Sequence, residues 1–179
     1  MANANKNKGK GWERELAKDL CEVFGLSFMR VPNSGAWIGG KNFFRAAKIS
    51  KEQNLMMEGD IIMPIELSHI KIEAKFYQKF SFISLYDSNA IFDSWVTQSE
   101  IGDTKKISFV IFKINNNGAF ISIHKSHASL FVVPTNYMVY KNQIIFRYDG
   151  FFAANKQKLL DLKLVLDAST ITDVLSSTN

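Results

Sequence analysis

The sequence predicts an α/β fold, a mixed central β-sheet flanked by helices. Three observations predict it: a helical period over residues 11–26, strand-like alternation in HIKIEAKFY (69–77), and two hairpin patterns beyond residue 106. The implied order is helix, strand, long loop, two strands, helix and two hairpins, which interleaves strands and helices as α/β domains do.

Residues 1–9, MANANKNKG, read as a flexible basic arm. GWERELAKDLCEVFGL then reads as an amphipathic helix. At about 100° per residue, Trp12, Leu16, Ala17, Leu20, Val23 and Phe24 fill one arc, while Arg14, Glu15, Lys18, Asp19 and Glu22 fill most of the rest. Glu13 is the exception, because its angle falls inside the apolar arc. Gly25 ends the helix, and LSFMRV (26–31) reads as a strand stopped by Pro32. Residues 32–58 form a connection of a length commonly tied to function.

DIIMPI (60–65) and HIKIEAKFY read as strands joined by a short turn. Residues 87–101, DSNAIFDSWVTQSEI, return to the helical period with Ile91, Phe92, Trp95 and Val96 on one face. ISFVIFKI, NNNG and AFISIH make one hairpin, and YMVY with QIIFRY a second that turns at Lys141-Asn142. The Phe-rich strands suit a core or a dimer surface. The last thirty residues, including KLLDLKLVL and ITDVLSS, fit strand or helix equally. The chain reads as one domain over 1–179, with 125–179 an elaboration at its C-terminal end.

A chain of 179 residues, 46% hydrophobic and 22% charged, has the length and composition of a globular domain. No apolar run approaches the roughly 18 residues of a membrane span, and the N-terminus lacks the apolar stretch of a secretory signal. A cytoplasmic location is expected. Cys21 is the single cysteine, which excludes an intramolecular disulfide and argues against a thiolate zinc site. On its helix it lies at the boundary of the apolar arc.

The net charge is +5, and its placement says more than its size. Lys6, Lys8 and Lys10 precede the first acid, and Lys41, Arg45, Lys48 and Lys51 share the long connection. Such clusters suit phosphate binding, and they also suit plain solubility. Trp37, Phe43 and Phe44 interleave with Lys41, Arg45 and Lys48. Cations there can meet phosphates while the rings stack on unpaired bases; the same rings could instead join the core. His124 and His127 have no acidic companions and read as surface or capping residues.

In a strand, Ile70, Ile72 and Ala74 point one way and Lys71, Glu73 and Lys75 the other. The charged face is either solvated or chemical. In the chemical reading Glu73 binds a cation and Lys75 stabilises negative charge. Asp60 opens the preceding strand, so pairing of the two strands would bring it near Glu73. Two adjacent carboxylates repel unless a cation lies between them, and an oxygen-only site suits Mg²⁺ or Mn²⁺. A cation there can activate water and polarise a phosphoryl oxygen. Glu13 would then face inward as a third carboxylate toward this cluster. Otherwise it is an acid near a helix start, where the dipole favours it.

The series ERE, RVPNSG, EGDII, IEAK and WVTQ, in that order over residues 9–124, resembles the PD-(D/E)xK nuclease superfamily. It is most similar to the branch of archaeal and phage Holliday-junction resolvases. The resemblance implies a restriction-endonuclease-like core and divalent-metal-dependent hydrolysis of DNA, with no organic cofactor. It implies Asp60 and Glu73 as metal ligands, the Ala74 carbonyl as a third, and Lys75 as the catalytic lysine. Glu13 would join the metal site directly or through water. Ser34 matches a loop serine near the scissile phosphate, and Gln98 a polar position on the helix after the motif strand. Arg14 and Arg30 would contact phosphates. Branched DNA is the implied substrate and a homodimer the implied assembly. A nuclease that nicks or trims duplex or flap DNA, and a non-catalytic DNA-binding module, are the alternatives. The segment 35–58 and the region past Ser126 depart from the compact resolvase pattern.

Overall fold

A computed structural model describes residues 2–32, 58–102 and 105–177. Helix α1 spans Ala2–Phe24, so it starts at Ala2 rather than after an arm of nine residues. Gly25, at φ +70°, donates its N–H to the Cys21 carbonyl at 2.9 Å and closes the helix. Strands β1 (Met29–Arg30) and β2 (Ile61–Ile62) form a short antiparallel ribbon, with Arg30 opposite Ile61. Strand β3 (Ile70–Tyr77), helix α2 (Ala90–Glu100), and strands β4 (Ile107–Ile114) and β5 (Gly118–His124) follow. Strands β6 (Met138–Tyr140) and β7 (Gln143–Arg147) form the second hairpin, turning at Lys141 with φ +51°. Helix α3 spans Phe151–Ser177 and resolves the open choice at the C-terminus as helix.

The main sheet runs β3-β4-β5-β7-β6. Its β3–β4 pair is parallel, and the other pairs are antiparallel. This is a mixed sheet flanked by helices, as the sequence predicts. Period-two alternation sends Ile72, Ala74, Phe109, Ile111 and Ile121 to one face, against Trp12, Leu16, Leu20 and Phe24 of α1 and Phe152 and Leu159 of α3. The opposite face carries Val110, Phe112, Ile114 and Ile145 against Phe92 and Trp95 of α2. The Phe-rich strands are therefore core. On α2 the buried side chains are Phe92, Trp95 and Ser99, whereas Ile91 is exposed and lies off the packed face.

The C-terminal hairpin and α3 extend the same sheet and core. Asn155 fastens them: its Oδ1 accepts from the Val132 N–H at 2.7 Å, and its Nδ2 donates to the carbonyls of Val132 and Phe151, each at 3.0 Å. The side chain is fully buried. Asn155→Leu strands those main-chain groups, at about 2 kcal/mol. The expected result in a thermal melt is a fall of roughly 5 °C.

Candidate active site

The site is built on the outer edge of β3, where the chain entering β2 makes close backbone contact. Gly59 has φ +81°, and a Cβ there would lie 2.5 Å from the Ile72 carbonyl oxygen. Only glycine allows that approach. It lets the Asp60 N–H donate to Ile72 at 2.8 Å, while the Asp60 carbonyl accepts from Val31 at 2.9 Å. The Asp60 side chain then turns along the edge, and its Oδ2 accepts from the Ala74 N–H at 2.9 Å. The N–H and C=O of one strand residue point to the same side. The Ala74 carbonyl therefore faces the same side of β3 as Asp60.

Glu73 and Lys75 stand on the α2-facing side of β3. That face is not solvated: Lys71 and Glu73 are buried, and the Lys71 ammonium donates to the Ile101 carbonyl at the end of α2, at 2.6 Å. Lys75 is ion-paired with Glu73 and donates to the Gln98 Oε1 at 3.0 Å. Burial, then the adjacent Asp60 charge, push the Glu73 carboxyl from 4.5 up to about 7, against the opposing pull of Lys75.

An acid with a raised folded-state pKa binds its proton more tightly when folded than when unfolded. Its stabilising share is complete below about 4.5 and is lost as pH rises through about 7. In EDTA, wild type should therefore lose thermal stability between pH 5 and pH 8. Glu73→Gln removes this loss and should melt on the order of 5 °C above wild type at pH 8. Melting curves at the two pH values check it.

Glu13 points inward from α1, near enough to Asp60 and Lys75 for their charges to act on it, but among the described residues it does not join Asp60 and Glu73 as a third ligand. Its carboxylate accepts from the Arg30 Nε, and both side chains are largely buried. Burial first, and the Asp60 charge second, raise the Glu13 pKa; Arg30 and Lys75 oppose them. The structure thus brings Glu13, Asp60, Glu73, Lys75 and Gln98 to one edge. Arg30 joins them as the partner of Glu13, which the sequence reading did not anticipate. Its place depends on the β1–β2 register, for which two-residue strands leave little signal. Arg14 is exposed on α1. Ser34, Lys41, Arg45 and Lys48 lie outside the described residues.

Away from this edge, the remaining candidates take structural places. Cys21 is a boundary residue whose Sγ accepts from the Phe28 N–H at 3.3 Å. His124 caps a short 3-10 turn, Lys125–Leu130, by accepting from the Ser126 N–H at 3.2 Å.

Among the described residues, no three His, Cys, Asp or Glu side chains gather as a ligand group. The edge instead presents two buried carboxylates and one main-chain carbonyl. These are hard oxygen donors, a set that fits Mg²⁺ or Mn²⁺ with water completing the coordination. Lys75 adds a cation beside them.

A protein-family model described as "Phage putative PDDEXK endonuclease" matches residues 4–162. The match extends past the resemblance at residues 9–124 and takes in β6, β7 and the first part of α3. No curated protein and no solved structure matches the chain. No helix among the described residues is long and apolar enough to cross a membrane. The family match spans most of the chain and includes every acid and the lysine gathered at the β3 edge, so the chain belongs to the phage PDDEXK endonuclease family.

Proposed function

We propose that the protein is a divalent-metal-dependent DNA endonuclease with branched DNA as its preferred substrate. The observation that carries the reading is the buried Asp60–Glu73 pair at the outer edge of β3, with Lys75 alongside. Asp60, Glu73 and the Ala74 carbonyl would hold Mg²⁺, or Mn²⁺ in its place. Bound there, the cation would lower the pKa of a water and polarise the scissile phosphoryl group. Lys75, steered by Gln98, orients the attacking water and steadies negative charge on the phosphoryl oxygens. Water attacks phosphorus in line with the 3′ oxygen; it gives up a proton to solvent as its oxygen bonds to phosphorus, the P–O3′ bond breaks, and the 3′ oxygen takes a proton from solvent and leaves as a hydroxyl. Glu13 supports the cluster from α1, with Arg30 holding its carboxylate in place. By the resolvase resemblance, Ser34 is assigned to the scissile phosphate and Arg14 and Arg30 to backbone phosphates; Lys41, Arg45 and Lys48 are assigned to the DNA from their interleaving with Trp37, Phe43 and Phe44 in the sequence.

Branched DNA and a homodimer, with two sites across a junction, rest on that same resemblance. A cytoplasmic setting follows from the sequence reading. Cleavage of a labelled four-way junction, beside a linear duplex of one arm's sequence, in Mg²⁺ and in EDTA, tests the proposal. Paired nicks in the junction alone, absent in EDTA, are the expected result. Equal cutting of both substrates would keep the nuclease and discard the junction preference. Binding without cutting would discard the nuclease.

A further inference from the structure

The segment leading into Asp60 is fastened to the end of α2 by charged groups that take no direct part in the proposed chemistry. Glu58, two residues before Asp60, is ion-paired with Lys106 at 2.9 Å, and both side chains are largely buried. A Cβ on Gly102, at φ +105°, would lie 2.8 Å from the Glu58 Oε1, so the α2–β4 connection closes directly over that carboxylate. Lys71 completes the link. Its stem lies 3.1 Å from where a Gly59 Cβ would be, and its ammonium holds the Ile101 carbonyl. The backbone that carries Asp60 and the helix that carries Gln98 are thus held against each other on both sides of Gly59.

We propose that Glu58, Lys106 and Lys71 form a positioning clamp that sets Asp60 against the Lys75–Gln98 pair. The proposal rests on the nuclease reading for its consequence, but its geometry can be tested without activity. Surface ion pairs contribute little. This pair is largely removed from solvent, so losing one partner takes a close opposite charge away from a largely buried group. The Asp60 segment is then free to shift, and an error of about 1 Å at a reacting centre can cost on the order of a hundredfold in rate.

Amide hydrogen exchange reads the geometry directly, because the Ala74 N–H is bonded to the Asp60 side chain while the Glu73 N–H faces β4. In Lys106→Met, the Ala74 amide should exchange about tenfold faster while the Glu73 amide keeps its protection. On the junction substrate kcat should fall at least about tenfold with KM little changed. Lys106→Arg should restore both. Glu58→Gln should reproduce the defect, and the double variant Glu58→Gln/Lys106→Met should be no worse than the weaker single one.

Unchanged Ala74 exchange in Lys106→Met overturns the clamp, as does an equal loss of protection along all of β3, which marks general destabilisation. A wild-type protein that cuts no DNA overturns the nuclease reading instead, and the exchange result still decides whether the clamp holds Asp60.

Discussion

Replacing Glu73 by alanine is expected to abolish DNA cleavage and to leave DNA affinity equal to wild type or higher. Both halves follow from one fact: Glu73 is a buried carboxylate beside a second one. Removing it takes away one of the two acidic ligands proposed for the cation, and with it several kcal/mol of charge stabilisation in the transition state. At about 1.4 kcal/mol per tenfold, the rate falls by roughly a thousandfold or more. Binding moves the other way, because phosphate no longer meets that negative charge. Single-turnover cleavage and an equilibrium binding assay in EDTA, on the same preparation, separate the two effects. Affinity lost together with cleavage would make Glu73 a structural residue and sink the assignment.

Gly59→Ala is expected to be the most damaging single-atom change near the site. The new Cβ would meet the Ile72 carbonyl at 2.5 Å, and the backbone at φ +81° disfavours any side chain. Strain and displacement together should cost about 3 kcal/mol, which is roughly 10 °C in a thermal melt. The same shift breaks the Asp60–Ile72 hydrogen bond, so cleavage should fall along with stability. Gly25→Ala is the control. Its φ is +70°, but nothing lies within 4 Å of the added atom, so only the conformational cost of about 1 kcal/mol remains. Equal melting temperatures for the two variants would mean that the close approach at Gly59 contributes nothing.

The parts of this site that were legible in the sequence depend on local periodicity. Glu13 stands out because a 3.6-residue period assigns it to the apolar arc, and the structure turns it inward there, half-buried and paired with Arg30. Glu73 and Lys75 share a face because strands alternate. What the sequence left open depends on contacts distant in the chain. The charged face of β3 could have been solvated; it is covered because the end of α2 lies over it, with Lys71 capping Ile101. The resemblance makes Arg30 a phosphate contact; its pairing with Glu13 shows only once the β1–β2 ribbon sets the two together. The C-terminal run KLLDLKLVL carries apolar residues at spacings that suit either period; packing of Leu159, Leu160 and Leu162 on the core favours helix in its first half, while Leu164, Val165 and Leu166 stay exposed. Ile91 shows the opposite error: it has the right spacing for the α2 core face, but the helix is rotated enough to leave it exposed.

The central claim is that Asp60 and Glu73 hold one divalent cation. Mn²⁺ binding followed by electron paramagnetic resonance, at a pH above 7 where Glu73 is ionised, tests it without relying on any DNA substrate. The variants Asp60→Asn and Glu73→Gln change charge with little change in shape. Wild type is expected to bind Mn²⁺ at a site that each variant loses or weakens at least about tenfold, and Mg²⁺ should compete for it. Mn²⁺ binding of equal strength in wild type and both variants would contradict the claim and put the metal, if there is one, elsewhere.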